Sequence, residues 1–132
     1  MTNKKFFDFL PSNFRHEKLY LLENNLNDFT KLSLLKDSDL NEIVKCSQLC
    51  TQNNLKKIRA IAIFNCAINI SPHEAYLLLH CGIGSVKSLS NLTPYELNER
   101  IGRLERSLGT KTQTKITLKV LKSWINNAKN NF

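Results

Sequence analysis

Shifted by 57 residues, positions 16–45 fall on positions 73–102 with ten identities in thirty. The matched pairs are His16/His73, Glu17/Glu74, Leu21/Leu78, Leu22/Leu79, Leu32/Leu89, Ser33/Ser90, Leu35/Leu92, Leu40/Leu97, Asn41/Asn98 and Glu42/Glu99. Leu26/Ile83 and Phe29/Val86 keep apolar character. Most of the shared residues are Leu at helical spacing, so what is repeated is a packing pattern. The chain therefore reads as two copies of one small helical unit, 1–66 and 67–132.

The second copy has the clearer punctuation. Ser71-Pro72-His73-Glu74 is a capping box with Pro at the first helical position, and Gly82 supplies a left-handed stop about ten residues on. Thr93-Pro94-Tyr95-Glu96 repeats the start signal for a helix to about Leu104, and the stretch from Ser85 to Asn91 has room for two turns at most. An amphipathic helix is expected from about Gln113 to Asn127. The first copy has weaker signals at about 14–24, 28–34, 38–50 and 54–68. No segment alternates as a strand, so the expected fold is all-α, built of short helices with tight turns.

A chain of 132 residues with 42% hydrophobic content and four glycines is long enough to bury a core of its own. Its longest apolar run, residues 60–64, is far below the roughly 20 needed to span a bilayer. Lys4 and Lys5 precede Phe6-Phe7, but Asp8 and Pro11 interrupt any signal-peptide core, so a cytoplasmic address is expected. Cys46, Cys50, Cys66 and Cys81 then read as free thiols. Cys46 and Cys50 are at i,i+4 spacing, yet no close Cys or His pair completes a four-ligand zinc set, and small buried hydrophobes are the stronger reading. No metal and no cofactor is expected. No nucleophile–base pair, phosphate loop or carboxylate pair has recognisable local context, which weighs against an enzyme.

The run LLLHCGIGSVKSLSNLTPYEL, residues 77–97, resembles the turn-rich segment of helix–hairpin–helix (SAM-like) folds. More closely, that run together with TLKVLKSWINNAK at 117–129 is similar to the family called domain of unknown function 4332. The resemblance implies a tandem helix–hairpin–helix fold and assigns no activity. A more distant similarity links Leu108-Gly109-Thr110-Lys111 to the turn by which the C-terminal domain of the bacterial RNA polymerase alpha subunit contacts DNA backbone; it implies a backbone contact at Gly109, Thr110 and Lys111. Its spacing departs by about five residues, and His73 stands where that domain has a minor-groove arginine. Phosphate-binding hairpins of this class place Gly-hydrophobic-Gly between their helices. Here that slot reads Asn69-Ile70-Ser71, with Ser71 committed to capping, and Leu10-Pro11-Ser12 in the first copy; both read as structural.

The formal net charge is +8, and no acidic residue follows Glu105. In the terminal helix Lys115, Lys119, Lys122 and Lys129 share an arc of roughly 80° at 100° per residue, with Asn126 among them. Leu118, Val120, Leu121, Trp124, Ile125 and Ala128 take the other side. Arg100, Arg103 and Arg106 form a second row at i,i+3. Lysines on one stripe with no acidic partner repel one another unless a polyanion is present. The expected partner is nucleic acid, held at Arg103, Arg106, Gly109, Thr110, Lys111, Lys115, Lys119 and Lys122. The alternative is an adaptor for an acidic protein. Aromatic residues are scarce on the polar faces, which favours duplex backbone over stacked single strands.

Overall fold

A computed structural model describes residues 7–108 and 117–131. After a 3-10 turn at Ser12–Phe14 come eight helices among the described residues: α1 Arg15–Glu23, α2 Phe29–Ser33, α3 Asp37–Cys46, α4 Gln52–Ile68, α5 Pro72–His80, α6 Val86–Ser90, α7 Pro94–Leu108 and α8 Leu118–Lys129. There is no strand among these residues.

The 57-residue shift recurs in the helix boundaries. Helices α5, α6 and α7 begin 57 residues after α1, α2 and α3, at Pro72 against Arg15, Val86 against Phe29, and Pro94 against Asp37. The caps correspond as well. α1 ends where Asn25 turns left-handed (φ 58°), and α5 ends at Gly82 (φ 84°), again 57 residues apart. At each end the next apolar residue folds back: Leu26 N–H donates to the Leu21 carbonyl at 2.8 Å, and Ile83 N–H to the Leu78 carbonyl at 3.0 Å. These are Schellman closures, which satisfy carbonyls the helix end would otherwise leave without a donor.

The capping box is present in α5. Ser71 Oγ accepts from Glu74 N–H at 3.2 Å, while Ser71 N–H donates to Glu74 Oε1 at 3.3 Å. Asn69 closes α4 in a left-handed conformation (φ 56°), so α4 turns into α5 across three residues. The 4-position of each unit corresponds at a different offset. Thr51 caps α4 by accepting from Asn54 N–H, and Thr117 caps α8 by accepting from Val120 N–H, 66 residues on. Leu55, Ile58 and Ala62 are buried, as are Leu121, Trp124 and Ala128 at the same 66-residue shift. From the start of the third helix to the start of the fourth, the second copy thus carries nine more residues, five of them in the longer α7 and four in the connection to α8.

Both halves contribute to one hydrophobic core, from Phe7, Phe9 and Phe14 through Leu21, Leu32, Ile61 and Phe64 to Leu78, Leu89, Leu97, Leu121 and Trp124. The long α4 runs between the halves, packing on α2 and α3 of its own unit and on α5 and α8 of the other. A smaller cluster of Leu40, Ile43, Cys50 and Leu55 belongs to the first unit. Arg59 on α4 pairs with Asp37 at 2.8 Å and fixes the start of α3 against it.

Three expected elements have other bounds. α3 stops at Cys46 because Ser47 is extended (φ −136°, ψ 103°), so Cys50 is off the helix and the two cysteines do not share a helical face. Cys50 is buried, whereas Cys46 and Cys66 are exposed and Cys81 is intermediate, so the reading as buried hydrophobes holds for Cys50 alone. α8 begins at Leu118, where Thr117 is extended (φ −79°, ψ 157°) and caps it, against an expected start near Gln113; Lys115 lies outside the described residues. α7 runs four residues beyond the expected Leu104, to Leu108.

Candidate nucleic-acid interface

α8 settles its own orientation. Leu121, Trp124, Ile125 and Ala128 are buried against α6 and α7, so the opposite arc, Lys119, Lys122, Asn126 and Lys129, faces solvent. Leu118 and Val120, expected on the apolar side, keep 42% and 37% exposure. Both sit at the flanks of the buried arc, some 70–90° from its centre by the 100° rule, in the helix's first turn.

Lys119 and Lys122 lie toward the N-terminal end of α8, where the helix dipole is positive and an acidic residue would be favoured. The first turn holds none. Among the described residues neither lysine has an acidic partner within ion-pair distance, nor does Lys129. This end of the molecule therefore concentrates positive potential from two side chains and a helix terminus at once.

The arginines behave differently. Arg103 is bound to Glu99 one turn back at 2.6 Å, with both side chains about two-thirds exposed. With Glu96, Glu99 and Arg100 it lines a shallow crevice of about 180 Å³. Arg106 is exposed on the last turns of α7, its guanidinium passing beside Gly102. Gly109, Thr110, Lys111 and Lys115 lie outside the described residues, as does the turn that carried the likeness to the polymerase alpha domain.

One residue beside the lysines is absent from the sequence expectation. Tyr95, in the first turn of α7, is 75% exposed. With Pro94 it forms one wall of a cleft of about 360 Å³ whose other wall is Leu118, Lys119 and Lys122 of α8. The signal was in the sequence: Tyr95 is about 200° from Leu97 and 240° from Ile101, the two inward residues of α7, and so must point outward. The placement of α8 opposite it had no such signal.

The two hairpin slots read as structural carry local roles. Ser71 is engaged with Glu74 through both its hydroxyl and its amide. Asn65 reaches across the Asn69 turn to donate to the Ile70 carbonyl at 3.0 Å. Leu10 is buried, and its carbonyl accepts from Lys18 Nζ at 2.6 Å. His16 and His73 are each the second residue of a helix. No group of three or more His, Cys, Asp or Glu side chains that could hold a metal ion occurs among the described residues, and no helix among them is long and apolar enough to cross a membrane.

No curated protein and no solved structure matches the chain. A family model does, described as Domain of unknown function (DUF4332), and it covers residues 11–131, which takes in all eight helices. With nearly the whole length matched, the chain belongs to the DUF4332 family.

Proposed function

We propose that this protein is a small non-catalytic helical module that binds nucleic-acid backbone with little sequence preference, through the lysine face of α8. The observation that carries the reading is the position of Lys119 and Lys122. Both stand near the positive end of a helix, on a face with no acidic residue, in a chain of net charge +8. Each feature raises the cost of the arrangement in isolation, and a phosphate backbone offsets all of them together. Helix N-termini and lysines are both phosphate-positioning groups and carry no base code, hence the weak sequence preference.

In this reading Arg106 extends the surface, and Lys111 and Lys115 join it from the segment between α7 and α8. Arg103 has to leave Glu99 to take part. Five engaged cations give a loss of about two to three decades in affinity between about 50 and 200 mM salt, at a slope of about −0.9 per phosphate on duplex DNA.

The second reading, an adaptor for an acidic protein segment, draws on the partly exposed Leu118 and Val120 beside the same lysines. Fluorescence anisotropy of labelled duplex DNA, with wild type and a Lys115→Gln/Lys119→Gln/Lys122→Gln variant, separates the two. Salt-sensitive micromolar binding that collapses in the variant supports the nucleic-acid module. No binding at about 50 mM salt overturns it and leaves the adaptor.

A further inference from the structure

Tyr95 and the lysine pair stand on facing walls of one cleft, and the first copy of the repeat provides an internal comparison. At the 57-residue shift the counterparts of Pro94 and Tyr95 are Asp37 and Ser38; at the 66-residue shift those of Leu118, Lys119 and Lys122 are Gln52, Asn53 and Lys56. In that copy the corresponding gap is bridged. Gln52 Nε2 on α4 donates to Asn41 Oδ1 on α3 at 2.7 Å, and Asp37 is held by Arg59. In the second copy Asn98 is retained, but Leu118 replaces Gln52 and has no donor to offer it. Where the first copy has a short hydroxyl, a paired carboxylate and Asn53 beside Lys56, the second has an exposed ring and Lys119 beside Lys122, neither lysine with an acidic partner among the described residues. The bridge is gone and the cleft is open.

We infer that the cleft between α7 and α8 holds an unpaired base of a single-stranded nucleic acid, stacked on the ring of Tyr95 over Leu118, with its flanking phosphates on Lys119 and Lys122. This rests on the nucleic-acid reading above and adds to its backbone contacts a second, base-stacking contact open only to strands with accessible bases. The chemistry of the walls argues for that occupant. A lone exposed aromatic is ordinary on a protein surface. An aromatic face and an aliphatic side chain within reach of two cations match a flat apolar base joined to anionic phosphates, and a duplex buries the base faces this wall would use. The volume of about 360 Å³ is within the range of about 300–1,000 Å³ that small-ligand pockets occupy. The ring supplies area that is tolerant of base identity, because every base has a π-face. The sequence expectation of duplex over single strand rests on a shortage of outward aromatics, and Tyr95 is an outward aromatic beside the lysines.

The test is anisotropy with a labelled oligothymidylate and a labelled duplex of equal length at about 50 mM salt, using wild type, Tyr95→Ala, Tyr95→Phe and Lys119→Gln/Lys122→Gln. Tyr95→Ala is expected to weaken single-strand binding by about 5- to 150-fold, the range that loss of one base–aromatic stack gives, and to leave duplex binding unchanged. Tyr95→Phe should keep wild-type affinity, and the lysine variant should lose affinity for both probes. Because Tyr95 is exposed, thermal unfolding of Tyr95→Ala should match wild type. If Tyr95→Ala binds the single strand as wild type does while the lysine variant fails, the stacking site is overturned and backbone binding stands. If wild type binds neither probe, both readings are overturned.

Discussion

Glu17 Oε2 accepts a 2.7 Å hydrogen bond from the backbone N–H of Thr51, 34 residues away in sequence. Its other oxygen accepts from Asn54 Nδ2 at 3.2 Å, and the side chain is 1% exposed. A buried carboxylate therefore sits on the N-terminus of α4, where both the free N–H groups and the helix dipole favour it. Its repeat partner Glu74 is at the third position of its helix, as Glu17 is, but turns back to cap its own Ser71. The difference has a local cause: Phe14 precedes α1 where Ser71 precedes α5, and Phe14 has no side-chain acceptor.

The two glutamates should thus differ in worth. Glu17→Ala removes both hydrogen bonds of a buried carboxylate, to Thr51 N–H and Asn54 Nδ2, and is expected to cost about 1–3 kcal/mol, whereas Glu74→Ala loses part of an exposed capping box and should cost about 0.5–1 kcal/mol. Urea denaturation midpoints at a common slope check this. Equal losses would contradict the anchoring role of Glu17.

The left-handed caps give a second comparison. A Cβ at Gly82 would meet nothing within 4 Å, so Gly82→Ala is penalised by backbone conformation alone, about 1–2 kcal/mol. Asn25 already bears a Cβ in the same conformation, so Asn25→Ala should cost about 1 kcal/mol or less. The same denaturation series measures both, and a Gly82→Ala variant as stable as wild type would contradict the assigned cap.

Thiol reactivity should follow burial. Burial pushes the Cys50 thiol up, its hydrogen bond with Ser47 opposes this, and the nearby Glu17 carboxylate adds to it. Cys81 is also raised by burial. A thiol pKa raised on folding contributes stability that is full below the unfolded value and lost as pH rises through the folded one. Alkylation at neutral pH followed by peptide mapping should therefore find Cys46 and Cys66 modified first and Cys50 last, with Cys50 reacting only on unfolding. Stability should decline on the alkaline side of the ordinary thiol range. Early modification of Cys50 would contradict its burial.

What the sequence made legible was local. Ser71-Pro72 with Glu74, and Gly82, are signals spanning four residues or fewer, and each is where it was expected. Trp124 faces the core as its helical position requires. The start of α8 was not legible, because Thr112, Thr114 and Thr117 are equivalent candidate caps until packing selects one. Nor was the burial of Glu17, which looks like its half-buried twin Glu74 until α4 is placed over it. The cleft depended on both kinds of information. Tyr95 pointing outward follows from helical geometry, while its facing lysines follow only from how α8 packs on α6 and α7.

The central claim, that the α8 lysines neutralise phosphates, is tested most directly by the slope of log affinity against log salt for duplex DNA. Wild type and the Lys119→Gln/Lys122→Gln variant should unfold alike, since both side chains are exposed. The variant slope should be shallower by about 1.8, two phosphates at about 0.9 each. An unchanged slope, or no binding by wild type at about 50 mM salt, would contradict it.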